Sequence, residues 1–201
     1  MPHSFQISRD SEALFITLVT RNRLPVFKTD TMKAVLCRAI AESTSCTPRG
    51  LPAWGPRALR AAFCFLRMLM PDHMHALTSK PSSTSAVLRV LKGITARRVI
   101  DYLKEKNYLA SLRKLQHQER ERNYRYSLWQ TEKNVLPIFS EGMFMQKVNY
   151  IHLNPVRREL VGRATGYRWS SVRIWQRCPS EDEPLLVDVE RINWRRSRQR
   201  R

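Results

Sequence analysis

The chain has 201 residues, 42% of them hydrophobic, which suits one ordinary domain with a real core and excludes wholesale disorder. Lys and Arg number 36 against 17 Asp and Glu, a formal net charge of +19 that points to a polyanionic partner, nucleic acid ahead of an anionic membrane. No stretch approaches the roughly 18 consecutive apolar residues of a membrane span.

The opening residues lack the basic-then-apolar plan of a signal peptide. Cys37, Cys46, Cys64 and Cys178 form no CxxC pair. The expectation is a cytoplasmic, nucleoid-associated protein with reduced, structural cysteines.

Ala13 to Arg21 (ALFITLVTR) is short, β-branched and aromatic, and predicts a strand. From Lys28 to Ser43, Met32, Val35, Leu36, Ala39 and Ile40 share one helical face, with Thr29 or Asp30 as cap. Thr47 to Pro56 is a proline- and glycine-rich loop. Leu59 to Met70 (LRAAFCFLRMLM) is an apolar run fit for a buried central strand, and HMHALT after Pro71 closes a hairpin with it.

A helix starts near Ser85, with Val87, Val90, Leu91 and Ile94 on one face that Val99, Tyr102 and Leu103 resume. Gly93 weakens that helix. The charged stretch SLRKLQHQERERNYRYSLWQ holds the end of this helix and a loop. Ser140 to Asn154 predicts a helix capped by Ser140 and stopped by Pro155, burying Phe144, Val148 and Ile151. The tail, RINWRRSRQRR, carries six arginines and no acid. Strands mixed with helices make an α+β sheet-and-helix sandwich.

Two of the five histidines stand one residue apart in MPDHMHAL. On a strand, His73 and His75 point to one face and Met74 to the other. Two imidazoles aimed together make half of a divalent-metal site, although the same spacing fits two polar residues on a solvated strand.

A third ligand and a reactive group are therefore needed, and NYIHLNPVRRELV offers both. Tyr150 and Asn154 share a helical face, with a phenol as nucleophile and an amide oxygen as hard ligand. Tyr150 as a boundary residue and Asn154 as a helix C-cap are the plainer alternatives. His152 falls on another face and reads as structural.

MPDHMH, YIHLNPVRRELV and YRWSS (Tyr167 to Ser171) together resemble the REP-associated tyrosine transposases of the HUH single-tyrosine superfamily. FITLVTRNRLPVF is similar to that family's first strand and turn, and LKGITARRV to its basic helix, so the likeness runs in order from Phe15 to Trp175.

The resemblance implies a ferredoxin/RRM-like HUH nuclease core, an antiparallel sheet with packed helices, over residues 1–176, with a basic tail over 177–201. It implies Tyr150 as nucleophile, and His73, His75 and Asn154 as ligands of Mg²⁺ or Mn²⁺. The implied reaction is single-strand DNA cleavage and joining through a 5′-phosphotyrosine on a hairpin of REP type, by a monomer in preference to a homodimer. Asp72, where the family more often has asparagine, is a candidate outer-shell acceptor. Glu159 stands where a glycine is frequent, which would affect only the turn.

DNA contacts are expected from Lys92, Arg97 and Arg98 on the middle helix and from Arg195, Arg196 and Arg198 in the tail. Trp169 and Trp194, beside arginines, could stack on unpaired bases, Trp169 having a core position as its alternative. No P-loop or dinucleotide fingerprint calls for a nucleotide cofactor. The competing readings are a binding-only domesticated transposase, which composition alone cannot separate, and a hydrolytic nuclease that leaves no protein–DNA adduct.

Overall fold

The structure, a computed structural model, describes residues 13–45, 64–79, 83–116, 125–132, 134–185 and 187–189. Four strands form one sheet: β1 (Ala13–Val19), β2 (Cys64–Leu69), β3 (His73–Ser79) and β4 (Asn134–Ile138). They pair antiparallel in the order β2-β3-β1-β4. Helix α1 (Asp30–Ser45) joins β1 to β2, and α2 (Thr84–Glu105) with the short α3 (Leu109–Leu115) joins β3 to β4. This βαββαβ order is the ferredoxin-like arrangement. Two further helices follow, α4 (Glu141–Arg157) and α5 (Val172–Trp175).

Local chemistry accounts for the helix starts. Met32 N–H donates to Thr29 Oγ1 at 3.3 Å, and the Ser83 and Ser140 hydroxyls accept from Ala86 and Met143 N–H. The α1 stripe of Met32, Val35, Leu36, Ala39 and Ile40 is buried, as its spacing predicts.

Strand alternation then divides the sheet. Phe15 pairs with Leu77 and Thr17 with His75 on one face; Ile16 pairs with Ala76 and Leu18 with Met74 on the other. Helices α1 and α2 pack together, and Cys37 of α1 lies near enough to Arg67 of β2, the partner of Ala76, to feel its charge. Helix α4 packs on β2 and β3 from the His75 face.

Two expectations are corrected. The run through β2 is an edge strand, not a central one, yet Leu66, Met68 and Leu69 are fully buried. The chain after α4 covers that edge: Leu69 N–H donates to Trp169 O at 2.9 Å and Ser171 N–H to Arg67 O at 2.9 Å. Tyr167 O–H donates to Leu69 O at 2.6 Å. An edge sealed this way needs the same apolar residues as an inner strand.

Pro155 does not stop α4, which continues to Arg157 with Pro155 buried inside it. Proline's fixed φ suits a helix, so in the last turn its cost is one missing hydrogen bond. The helix closes in a Schellman motif: Glu159 N–H donates to Val156 O, Leu160 N–H to Pro155 O, and Glu159 takes φ 56°. Among the described residues no helix is long and apolar enough to cross a membrane.

Candidate active site

His73 and His75 lie side by side on β3, ring centroids 4.7 Å apart, each less than a twentieth exposed. Met74 turns to the opposite layer, also buried. Each imidazole is held by its Nδ1. That of His73 is 2.5 Å from Asp72 Oδ1, and that of His75 is 2.9 Å from Thr17 Oγ1, its cross-strand partner. Asp72 is held in turn by Arg23 at 3.3 Å.

An ionised carboxylate only accepts, so His73 Nδ1–H donates and its Nε2 keeps a lone pair. The Asn154 amide nitrogen faces His75 Nε2 at 3.3 Å, which requires a lone pair there too and puts the His75 proton on Nδ1.

Electrostatics keep both rings neutral. Burial pushes His75 down to about 3, assisted by the neighbouring His73. Burial also lowers His73, against the upward pull of Asp72. Burial would raise Asp72, but hydrogen bonds and charge from His73 and Arg23 prevail and hold its carboxyl low. Neutral, oriented imidazoles are the form in which histidine binds a metal.

Helix α4 brings Tyr150 and Asn154 to this pair, one turn apart. The Tyr150 ring lies 5.2 Å from that of His75 and 6.0 Å, edge-on, from Phe15, which itself stacks on His75 at 5.2 Å. Asn154 is buried at 6% exposure, whereas Tyr150 stands at the rim at 38%. Asn154 is thus an interior helical residue aimed at the histidines and no C-cap.

Around the phenol stand cations that the sequence reading passed over. Lys147 Nζ is 5.8 Å and the Arg157 guanidinium 5.9 Å from the Tyr150 ring centre. The signal was available, since 147, 150, 154 and 157 fall on one helical face. Thr17 and Arg23 carried no local signal; their roles come from strand pairing and a turn.

Among the described residues no three His, Cys, Asp or Glu side chains gather into a metal site. The donor set here is two imidazoles and an amide. It fits a divalent ion on chemistry: the His73 Nε2 lone pair is available, and rotating the Asn154 amide would free that of His75 and present the amide oxygen.

The expected DNA contacts fare unequally. Lys92 is drawn inward, its ammonium donating to Gln130 O at 2.8 Å and Glu132 O at 3.1 Å. Arg98 pairs with Glu42 at 2.8 Å on the surface, and Arg97 is exposed.

Trp169 is a correction. It is 6% exposed, its indole N–H donates to Asp30 at 2.7 Å, and Lys33 and Arg168 lie against its ring, so it has no open face for a base. Arg195, Arg196, Arg198 and Trp194 lie outside the described residues.

His152 is buried behind the helix, its Nε2 3.5 Å from Ser171 Oγ and its ring 6.3 Å from Trp175; burial lowers its pKa to about 4. The structural role read for it from the sequence agrees with this placement.

No protein-family model and no curated protein matches the chain. Among solved structures, the chain is similar to a REP-associated tyrosine transposase bound to a REP hairpin, with TM-score 0.54 and 18% identity over 94% of this chain and 92% of that one. A putative transposase from Deinococcus radiodurans R1 also matches, at TM-score 0.37 and 18% identity over 75% of this chain and 92% of the other. The first likeness shows the fold, and with it the resemblance in motifs extends to the architecture; the second carries no weight here.

Proposed function

We propose that this chain is a transposase-like enzyme that cuts and rejoins single-stranded DNA by transesterification at Tyr150, with hairpin DNA as its substrate. The observation that carries the reading is the convergence of Tyr150, His73, His75 and Asn154 from two distant segments on one spot. The hairpin is inferred from the ligand of the similar transposase, and the net charge of +19 suits it.

The Tyr150 oxygen attacks phosphorus and its proton passes to solvent. The bond to the 3′ oxygen breaks, and that oxygen takes up a proton. The products are a 5′-phosphotyrosine and a free 3′-hydroxyl, so no water or nucleotide is consumed. Attack by a 3′-hydroxyl on the phosphotyrosine reverses the step and joins strands.

A neutral phenol is a weak nucleophile, so the phosphate must be made electrophilic. His73, His75 and Asn154 would hold Mg²⁺ or Mn²⁺, which when bound polarises a phosphate oxygen and offsets developing charge. Asp72 and Thr17 keep the two imidazoles aimed; Arg97 and the arginines of the tail would supply contacts to the DNA backbone.

The test is a denaturing-gel adduct assay with labelled single-stranded hairpin DNA and either metal, comparing the native chain with Tyr150→Phe. A metal-dependent covalent band lost in the variant is expected. Cleavage that survives Tyr150→Phe would replace transesterification with hydrolysis, and tight binding without adduct or cleavage would leave a binding-only protein.

A further inference from the structure

Lys147 sits where a reacting phosphate would need a positive charge. Its ammonium lies 5.1 Å from the centre of the Phe15 ring and 5.8 Å from that of Tyr150, bridging the strand that supports His75 and the helix that carries the phenol. The residue is partly buried, yet no carboxylate among the described residues pairs with it. Other inward lysines are satisfied: Lys33 lies on Asp30 and Lys92 on two carbonyls. A partly desolvated cation resting on two aromatic faces is weakly held and ready to exchange that contact for an anion.

The helix adds direction. Lys147 lies one turn before Tyr150 and two turns before Asn154, so it flanks the phenol on the side away from the Asn154 turn. Its charge is also felt at His75. Arg157, more exposed, approaches the same ring from the other end.

Building on the transesterification reading, we propose that Lys147 is a catalytic residue: its ammonium leaves the Tyr150 ring to bind a non-bridging oxygen of the phosphodiester under attack. There it offsets the negative charge that gathers on the phosphoryl oxygens as the phenol oxygen bonds to phosphorus. No proton moves through it, and the bonds made and broken are those of the step above. A ligand of this chemistry, a DNA phosphodiester, replaces two aromatic faces that hold the cation only by their quadrupoles.

The experiment uses the full chain and labelled hairpin DNA under single-turnover conditions, with adduct formation and binding measured separately. Lys147→Met keeps an apolar stem over Phe15 and removes the charge; Lys147→Arg keeps the charge. Thermal melting of each variant checks that it folds.

We expect Lys147→Met to slow adduct formation by about 100-fold, comparable to the loss of one oxyanion donor, with DNA affinity changed far less. Lys147→Arg should recover most of that loss. Overturning results would be an unaltered rate in Lys147→Met, a loss of rate fully matched by a loss of binding, or a failure of Lys147→Arg to recover when it folds. If the native chain forms no adduct, the transesterification reading itself fails and this role falls with it. An adduct in the native chain whose rate ignores Lys147 sinks only the role of the lysine.

Discussion

Replacing Asp72 with alanine isolates how far the proposed cation site depends on the group behind His73. Asp72 Oδ1 is 2.5 Å from His73 Nδ1, and its carboxylate does two things. It pins the proton on Nδ1, so the Nε2 lone pair faces the site, and it makes the ring a stronger donor. Loss of such a partner costs about 10–100-fold in metal affinity. Arg23 draws on the same carboxylate at 3.3 Å and the group is 20% exposed, so the expected loss lies near the lower end. That is about tenfold, or ~1.4 kcal/mol.

The assay is calorimetric titration of Mn²⁺ into the chain without DNA, at about pH 8, where histidine of normal or lowered pKa is neutral. Proton competition then cannot account for the difference. Arg23→Gln, which frees the carboxylate for His73, should tighten binding slightly. An affinity untouched by Asp72→Ala would refute the argument that Asp72 orients a metal ligand, and no measurable binding in the native chain would remove the cation from the reading altogether.

Glu159→Gly should stabilise the chain by about 1 kcal/mol in chemical denaturation, because φ 56° strains any residue with a Cβ and glycine's larger unfolded-state entropy cancels only part of the gain. His152 has a folded pKa of about 4 against 6.5 when unfolded. The unfolded chain therefore binds the extra proton first, and stability present above pH 6.5 is lost as pH falls towards 4. His152→Gln should flatten the acid limb of metal-free denaturation curves by roughly 3 kcal/mol, and an unchanged limb would show that this burial does not govern it. Trp169→Phe removes a 2.7 Å hydrogen bond to the largely exposed Asp30. It should cost about 1 kcal/mol of stability and leave DNA affinity intact, whereas a stacking role would cost about 1–3 kcal/mol of binding.

What could be read from the sequence was what depends on local period. The apolar stripes of α1 and α4 and the shared face of His73 and His75 follow from spacings of four residues or fewer, and the structure places them as those spacings require. Reading Leu59 to Met70 as a central strand failed because burial was taken for position. What covers β2 is a segment about 100 residues later in the chain, bonded through Ser171 and Trp169. Trp169 failed for a related reason: its neighbouring arginine suggested nucleic acid, but Asp30, far away in sequence, had already engaged its N–H. Thr17 could not be found at all, since only strand register sets it opposite His75.

The motif YIHLNP distributes its work around one helix. At 3.6 residues per turn, Tyr150 and Asn154 are about 40° apart, and His152 is about 160° from each. His152 therefore packs behind the helix, near Ser171 and Trp175. Ser171 in turn accepts from Arg67 N–H on β2 at 3.0 Å, and β2 is hydrogen-bonded to the strand of His73 and His75. This contact helps to hold the rotation of α4 relative to the sheet. A turn of about 20° at a radius of about 6 Å would move the phenol by about 2 Å, enough to spoil an in-line attack.

With that rotation set, the Asn154 amide already meets His75. Presenting its oxygen to a cation breaks one neutral hydrogen bond, about 1 kcal/mol, and displaces no backbone. His73, His75 and Asn154 lie buried and Tyr150 lies at the rim. On the proposed reading, a phosphate arriving from solvent would meet the phenol and the proposed cation site in one approach.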